Sequence, residues 1–212
     1  DYLYVTGTSK TMADYCKWFA AWSVEYHHTL FDSVNPSVRS APTVLDIGCN
    51  DGTQLDYFKN DHGCETQGID PAENIYPICS KKHNTICGYF DETTLAMLIP
   101  SDIIVAQNVF AHNYNPLEFM RNVKELMHDE SLFFIQTSQA NMILNNEFDT
   151  IYHEHISFYN IKSMNSLCLR AGLNLIDVIK SPLHGSSYIF VVSTKIQRKN
   201  HIKNLIEMER IS

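Results

Sequence analysis

The feature that most constrains the fold is the stretch 43–52, where a short run of β-branched and apolar residues ends in a loop containing two glycines. A helical pattern carrying Leu55, Phe58 and Lys59 follows directly. A buried strand, a tight turn and a helix in this order form the first half of a βαβ unit. We therefore expect a parallel sheet, with this loop at the carboxyl end of its first strand.

The rest of the chain repeats the alternation of strand and helix. Further strands are predicted at 65–69, 85–90, 102–107, 131–137, 173–179 and 187–194. Further helices are predicted at 11–31, 73–82, 92–98, 116–127, 161–171 and 197–212, with N-caps at Thr11 and Asn115 and a stop at Gly172. The last two strands are joined by so short a connection that they must be antiparallel. The sequence thus predicts an α/β protein with a Rossmann-like, doubly wound, mostly parallel seven-stranded sheet and an antiparallel last strand pair.

A chain of 212 residues suits one substantial core. We expect a lead-in and helix in residues 1–42, the core domain in 43–196 and a C-terminal helix in 197–212. The alternating charges of that helix indicate a solvated face or a truncated junction.

Composition restricts the class of partner. The formal net charge is -8, which argues against nucleic acid because binding to a phosphate backbone needs a basic surface. No stretch is apolar enough to span a membrane, and no signal peptide is recognisable, so we expect a soluble protein. The six cysteines are scattered without CxxC pairs and are interpreted as reduced core thiols, which predicts a cytoplasmic location. The expected partner is a small molecule.

A short polar cluster, residues 148–155, lies between two apolar flanks. It includes a glutamate with one histidine on each side, in the order His153, Glu154 and His155. Such a set can bind a metal, perform acid and base catalysis, or form a hydrogen-bonded structural cluster. The residues alone leave all three interpretations open.

The loop after the first strand favours a cofactor without phosphate. Its glycines, Gly48 and Gly52, are spaced G-x-x-x-G, which does not meet the G-x-G-x-x-G pattern of a dinucleotide site. Its acidic residues, Asp46 and Asp51, would repel phosphate but suit a ligand that carries an ammonium and a sulfonium. Asp70 follows the second strand, where a carboxylate can accept hydrogen bonds from both hydroxyls of a ribose.

Through residues 44–52, Asp70 and residues 102–109, the chain resembles the class I S-adenosylmethionine-dependent methyltransferases. The resemblance implies S-adenosylmethionine as cofactor, with the glycine loop under the methionine part, Asp70 on the ribose and residues 88–91 beside the adenine. The implied cofactor-binding residues are Asp46, Gly48, Asn50, Gly52, Asp70, Pro71, Asp91, Gln107 and Asn108.

Residues 7–12, 108–112, 148–155 and 184–187 look like signatures of the sugar C-methyltransferases that act on nucleotide-linked keto-deoxysugars. This closer resemblance implies methylation of a sugar carbon next to a keto group, which requires a base and a group that stabilises the enolate. His155 is the expected base, His112 the alternate base or enolate donor, Tyr152 the donor to the oxyanion and Glu154 the group that orients the base. Tyr4, His153 and His184 are expected to bind the substrate. No metal is required in this scheme.

The chain departs from that family in two ways. The family carries a cysteine-rich zinc-binding segment before the core and a further domain after it, and neither is recognisable here, so we expect a minimal version or a piece of a longer protein. The family's HGGS motif is followed by a basic residue, which is missing from residues 184–189. Two alternatives stay open: an O- or N-methyltransferase of a sugar or small metabolite, and a noncatalytic domain that binds S-adenosylmethionine or a partner.

Overall fold

The computed structural model describes residues 5–31, 41–138, 155–182 and 187–209. The strands are β1 (Thr43–Ile47), β2 (Glu65–Asp70), β3 (Asn84–Cys87), β4 (Ile103–Gln107), β5 (Leu132–Ser138), β6 (Asn174–Lys180) and β7 (Ser187–Ser193). The α-helices are α1 (Lys10–Phe31), α2 (Thr53–His62), α3 (Tyr76–Cys79), α4 (Glu92–Leu95), α5 (Pro116–Glu125), α6 (Ile161–Ala171) and α7 (Lys199–Glu209). Single 3-10 turns lie at Thr6–Thr8, the N-terminal turn, and at Phe110–His112, the histidine turn.

The strands form one seven-stranded sheet in the order β3-β2-β1-β4-β5-β7-β6. Strand β2 is parallel to both β1 and β3, whereas β7 is antiparallel to both β5 and β6. This confirms the predicted fold class and the antiparallel last strand pair. The chain divides into two compact units, Asp1–Val105 and Ala106–Ser212. The division into lead-in, core and C-terminal helix at residues 42 and 196 stays a prediction.

Several predicted boundaries are wrong for local physical reasons. Helix α1 begins at Lys10, and the Oγ of Ser9 accepts a hydrogen bond from Met12 N at 3.4 Å, so the cap is not Thr11. Helix α3 has only 4 residues. Pro77 lacks an N–H and fits only the first turn, so a helix could not run through it from residue 73. Helix α4 stops at Leu95, and the next bonds are of the tighter 3-10 type.

The core of the first unit lies between β1 and helices α1 and α2. Val44 and Leu45 of β1 are completely buried, and Phe19 of α1 meets Phe58 of α2 edge to face, with ring centroids 6.5 Å apart. The Asp102 carboxylate anchors the start of β1, because its Oδ2 accepts from Thr43 N at 2.7 Å. The first strand is thereby held firmly at both its apolar face and its beginning.

The core of the second unit is built on β5 and β7. Residues 132–135 and 189–192 are completely buried, and α5 and α6 add Met120 and Met164. Gly172 ends α6 with φ 73, as predicted, and Asn115 caps α5 by accepting from Glu118 N at 3.3 Å.

Five of the six cysteines are buried free thiols, but Cys87 is exposed, so its interpretation as a core thiol is wrong. Among the helices described, none has the length and hydrophobicity needed to cross a membrane.

Candidate functional site

The loop after β1, residues 48–52 and here named the cofactor loop, is fixed by main-chain hydrogen bonds in the first unit. Gly48 has φ 81, and its N–H donates to the carbonyl of Ile69 at 2.8 Å. Asn50 has φ 49, which is uncommon for a residue with a side chain, and its N–H donates to Asp70 Oδ2 at 2.9 Å. The loop is therefore tied to the carboxyl end of β2.

Gly52 can only be glycine at its position in the loop. Its φ is 82, and an added Cβ would lie 2.8 Å from Cys79 Sγ and 3.0 Å from the ring of His83. The His83 ring is held by Thr66 Oγ1 at 2.8 Å and by Asp56 Oδ1 at 3.2 Å, and burial lowers its pKa. The requirement for glycine at position 52 thus has a steric cause, namely packed side chains directly beside the loop.

Asp46 lies at the end of β1 with a relative exposure of 4%. Its carboxylate receives no hydrogen bond from the residues that the structure describes, and burial, with a smaller contribution from Asp70, raises its pKa to about 8. A buried carboxylate without a hydrogen-bond donor is stabilised by a cation more than by any neutral group. Asp46 therefore fits the ammonium and sulfonium of S-adenosylmethionine.

Asp70, the predicted ribose-binding residue, is held in one orientation. Its Oδ2 accepts from Asn50 N at 2.9 Å and its Oδ1 accepts from Ala72 N at 2.8 Å. Each carboxylate oxygen has a second lone pair, so both can still accept from a hydroxyl. The arrangement fits a ribose diol. The neighbouring Pro71 is exposed, and its contact with the cofactor stays a prediction.

Asp91 has a structural role that the sequence did not predict. It is the N-cap of α4 and accepts from Thr93 Oγ1 at 2.6 Å and from Thr93 N at 2.9 Å, and these bonds lower its pKa. Its place beside adenine stays a prediction.

In the second unit, Gln107 is half-buried at the end of β4, and Asn108, with φ 56, donates from its N–H to Gln136 O at 3.0 Å.

The two candidate catalytic histidines that the structure describes lie together in the second unit. The ring centroids of His112 and His155 are 5.0 Å apart, with 55° between the ring planes. The carbonyl of Ala111 in the histidine turn accepts from Ile156 N at 2.9 Å and from Ser157 N at 3.2 Å. These bonds bring the segment after His155 onto the histidine turn. Residues 43 positions apart in sequence thus form one pair of imidazoles.

Two polar residues at the end of β5 were not predicted as site residues. Gln136 and Thr137 are each 1% exposed, and the Gln136 amide atoms and the Thr137 hydroxyl have no hydrogen-bond partner among the residues that the structure describes. Buried polar groups are nearly always paired, so these atoms mark a place where a polar group is needed. A Gln-Thr pair at the carboxyl end of an otherwise apolar strand was the signal that could have revealed them.

The contact of the N-terminal turn with the loop after β1 was not predicted either. The N–H of Thr6 donates to Asn50 Oδ1 at 3.0 Å, and the N–H of Gly7 donates to Asp51 Oδ2 at 2.9 Å. The resemblance of residues 7–12 to a sugar C-methyltransferase lead-in was the available signal. Asp51 therefore binds main-chain donors of the protein itself.

The remaining predicted site residues lie outside the described residues. These are Tyr4, Tyr152, His153, Glu154 and His184. Their catalytic and substrate-binding roles stay predictions. The alternative in which His153, Glu154 and His155 bind a metal also depends on that segment.

Comparisons with known proteins concern the sequence and the fold. A family described as a methyltransferase domain matches residues 20–178. The C-methyltransferase NovU of Streptomyces niveus is 29% identical over 152 residues, and the match spans 69% of this chain and 36% of NovU. The chain therefore covers little more than a third of the length of that relative.

Solved structures share the fold at low sequence identity. The plantazolicin methyltransferase BpumL, in complex with a monoazolic desmethylPZN analog and SAH, has a TM-score of 0.66 at 16% identity, with 85% of each chain covered. An S-adenosylmethionine-dependent methyltransferase from Clostridium acetobutylicum has a TM-score of 0.65 at 10% identity, covering 84% of this chain and 91% of that one. With a family match over most of its length, a cofactor loop that fits and this fold, the chain belongs to the methyltransferase domain family, as a class I S-adenosylmethionine-dependent methyltransferase.

Proposed function

We propose that this protein is a C-methyltransferase that adds a methyl group to a carbon next to the keto group of a nucleotide-linked deoxysugar. The observation that carries this proposal is the pair of imidazoles formed by His112 and His155. A carbon next to a carbonyl becomes a nucleophile only after it loses a proton, so such a reaction needs a base near neutral pH. Support also comes from the similarity to NovU, which is named a C-methyltransferase.

In this proposal, His155 removes the proton from the sugar carbon as a neutral imidazole. His112 donates a hydrogen bond to the oxygen that becomes negative, or takes the role of the base itself. The pairing of Ile156 and Ser157 with the Ala111 carbonyl fixes the spacing of the two rings. Tyr152 as oxyanion donor and Glu154 as the residue that orients His155 are part of the same proposal.

The cofactor and the substrate are held by different residues. When bound, S-adenosylmethionine supplies an electrophilic methyl group on a sulfonium. Asp46 is the proposed partner of its cationic groups and Asp70 of its ribose. Tyr4, His153 and His184 are the proposed substrate contacts. No metal enters the scheme.

Hydrogen exchange at the substrate tests the base directly. The protein is incubated in deuterium oxide with candidate nucleotide-linked 4-keto sugars and without S-adenosylmethionine, and deuterium in the sugar is measured by mass spectrometry. We expect exchange at the carbon next to the keto group. A sugar that binds without exchanging, yet gains a methyl group when the cofactor is added, would instead indicate methylation of oxygen or nitrogen.

Replacement of the base separates catalysis from cofactor binding. His155→Asn is expected to lower methyl transfer by about 10²–10⁴-fold, the usual contribution of a positioned base, and to leave SAH binding near normal. His62→Asn, at a half-buried histidine at the end of α2, is the control and should retain full turnover. Turnover of His155→Asn at the wild-type rate would contradict the assignment of the base.

A further inference from the structure

The N-terminal turn lies directly on the cofactor loop. The main-chain N–H groups of Thr6 and Gly7 donate to Asn50 Oδ1 and Asp51 Oδ2, at 3.0 Å and 2.9 Å, across 44 positions of sequence. A Cβ on Gly7 would lie 2.7 Å from Asp51 Oδ2 and 2.7 Å from Thr53 Oγ1. The turn thus approaches the loop as closely as a glycine allows.

The same two loop residues connect the turn to the groups that fit the cofactor. Asn50 accepts from Thr6 with its side chain and donates its own N–H to Asp70 Oδ2 at 2.9 Å. Asp51 accepts from Gly7 with one carboxylate oxygen and from Thr53 N, at 3.1 Å, with the other. A continuous set of hydrogen bonds therefore links the turn, the loop, the start of α2 and the carboxylate of Asp70.

These links have an energetic consequence for the loop. Asn50 and Asp51 are only 8% and 7% exposed, and Asn50 has a left-handed backbone with φ 49. A buried carboxylate needs its donors, and a strained backbone persists only where neighbouring contacts hold it. Without the contacts from the turn, Asp51 would lose a donor and Asn50 would lose one of the bonds that hold its conformation.

We propose that Gly7 and Asp51 are positioning residues for S-adenosylmethionine, and that the N-terminal turn is a clamp that holds the cofactor loop in its binding conformation. The clamp acts through Asn50, which connects the turn to Asp70. Because coupling between sites is reciprocal, binding of the cofactor must in turn stabilise the contact between the turn and the loop.

Two variants test the clamp through the affinity for SAH, measured by titration calorimetry. Gly7→Ala introduces a methyl group 2.7 Å from both Asp51 Oδ2 and Thr53 Oγ1, and Asp51→Ala removes the acceptor of the N–H groups of Gly7 and Thr53. Each should raise the dissociation constant of SAH about tenfold or more, the effect expected for the loss of about one hydrogen bond in the clamp. In steady-state assays, Gly7→Ala should raise the KM for S-adenosylmethionine more than it lowers kcat, because the substitution weakens the positioning of the loop.

Gly63→Ala is the matched control. Gly63 ends α2 with φ 69, and its nearest neighbour to an added Cβ is Ala41, at 3.9 Å. The substitution strains the backbone about 15 Å away along the helix from the cofactor loop. It should lower the melting temperature and leave the affinity for SAH unchanged. A Gly7→Ala protein with the wild-type dissociation constant would overturn the proposal.

Hydrogen exchange of the unmodified protein provides a test that does not depend on the folding of any variant. The amides of Thr6 and Gly7 should exchange more slowly when saturating SAH is added, because they donate to the cofactor loop. Amides at the C-terminal end of α2, near Gly63, should change much less. Equal exchange at Thr6 and Gly7 with and without bound SAH would overturn the clamp.

Discussion

The Asp46 carboxylate is a single group from which a pH dependence of stability is expected. Its pKa is raised from 3.8 to about 8 in the folded protein because it is buried. Between about pH 4 and pH 8, the folded state holds a proton that the unfolded state has lost. This contribution to stability is therefore fully present below pH 4 and is lost as the pH rises through 8, by at most about 1.4 kcal/mol per pH unit.

Asp46→Asn should remove this dependence. Urea unfolding at pH 5 and pH 8 would measure the difference in the free energy of unfolding between variant and wild type. We expect the wild type to lose stability relative to the variant as the pH rises. Asp129→Asn removes one partner of an exposed ion pair with Lys195 and serves as the control. Its free energy of unfolding should differ little from that of the wild type at both pH values. A constant difference for Asp46→Asn would contradict the buried, protonated carboxyl group.

The buried amide of Gln136 is expected to lower the free energy of unfolding of the protein and to serve the binding of substrate. Within the described part of the chain this buried amide has no hydrogen-bond partner, so Gln136→Met should raise the free energy of unfolding by about 1–3 kcal/mol. Gln67→Met is the matched control, since Gln67 is also buried but bonds to Ser101 Oγ at 2.9 Å and should lose stability. If Gln136 binds substrate, methyl transfer by Gln136→Met falls while stability rises. Equal losses of stability in both variants would contradict the unpaired amide.

At the scale of elements, the N-caps of α5 and α6 are expected to contribute different amounts to the stability of the protein. The Asn160 side chain accepts a hydrogen bond from Ser163 N at 2.7 Å, and Ser163 Oγ in turn accepts one from Asn160 N at 3.0 Å. Asn115 accepts from Glu118 N at the longer distance of 3.3 Å. Both bonds belong to caps whose replacement by alanine typically costs about 1 kcal/mol.

Asn160→Ala should therefore lower the free energy of unfolding by about 1 kcal/mol or more, and Asn115→Ala by less. Urea unfolding of both variants checks the order. The start of α6 also receives the carboxylate of Glu209 from α7, which accepts from Ile161 N at 3.0 Å. A larger loss for Asn115→Ala would show that the reciprocal bond in α6 contributes little.

At the scale of the whole molecule, SAH should stabilise the chain against heat. A ligand at 100 times its dissociation constant adds about 2.7 kcal/mol to the free energy of unfolding, which corresponds to a rise of about 5–10 °C in melting temperature for a chain of this size. Scanning calorimetry with increasing SAH measures this rise. Asp70→Asn should reduce it, since the ribose would lose a carboxylate oxygen, whereas His62→Asn should retain it. An unchanged rise in Asp70→Asn would contradict the assigned role of Asp70.

The sequence alone determined the fold class and the cofactor loop, because both depend on local rules. Alternation of buried strands with helices requires a parallel sheet, and the short connection before β7 requires an antiparallel pair. Gly48, Gly52 and Asp70 follow strand ends, where their positions are set by the chain itself. Helices α3 and α4 were predicted too long, because Pro77 must lie in the first turn of α3 and bonds of the 3-10 type follow the end of α4 at Leu95.

Only the tertiary structure decided which distant residues meet. The contact of Gly7 with Asp51, the pairing of His112 with His155 and the packing of His83 against Gly52 each join segments far apart in sequence. No local propensity encodes such contacts, since they arise from the way the units bury their apolar faces. Burial also raises the pKa of Asp46 and leaves the Gln136 amide without a hydrogen-bond partner in the ranges that the structure describes, and burial is a property of the fold that the residue types alone do not contain.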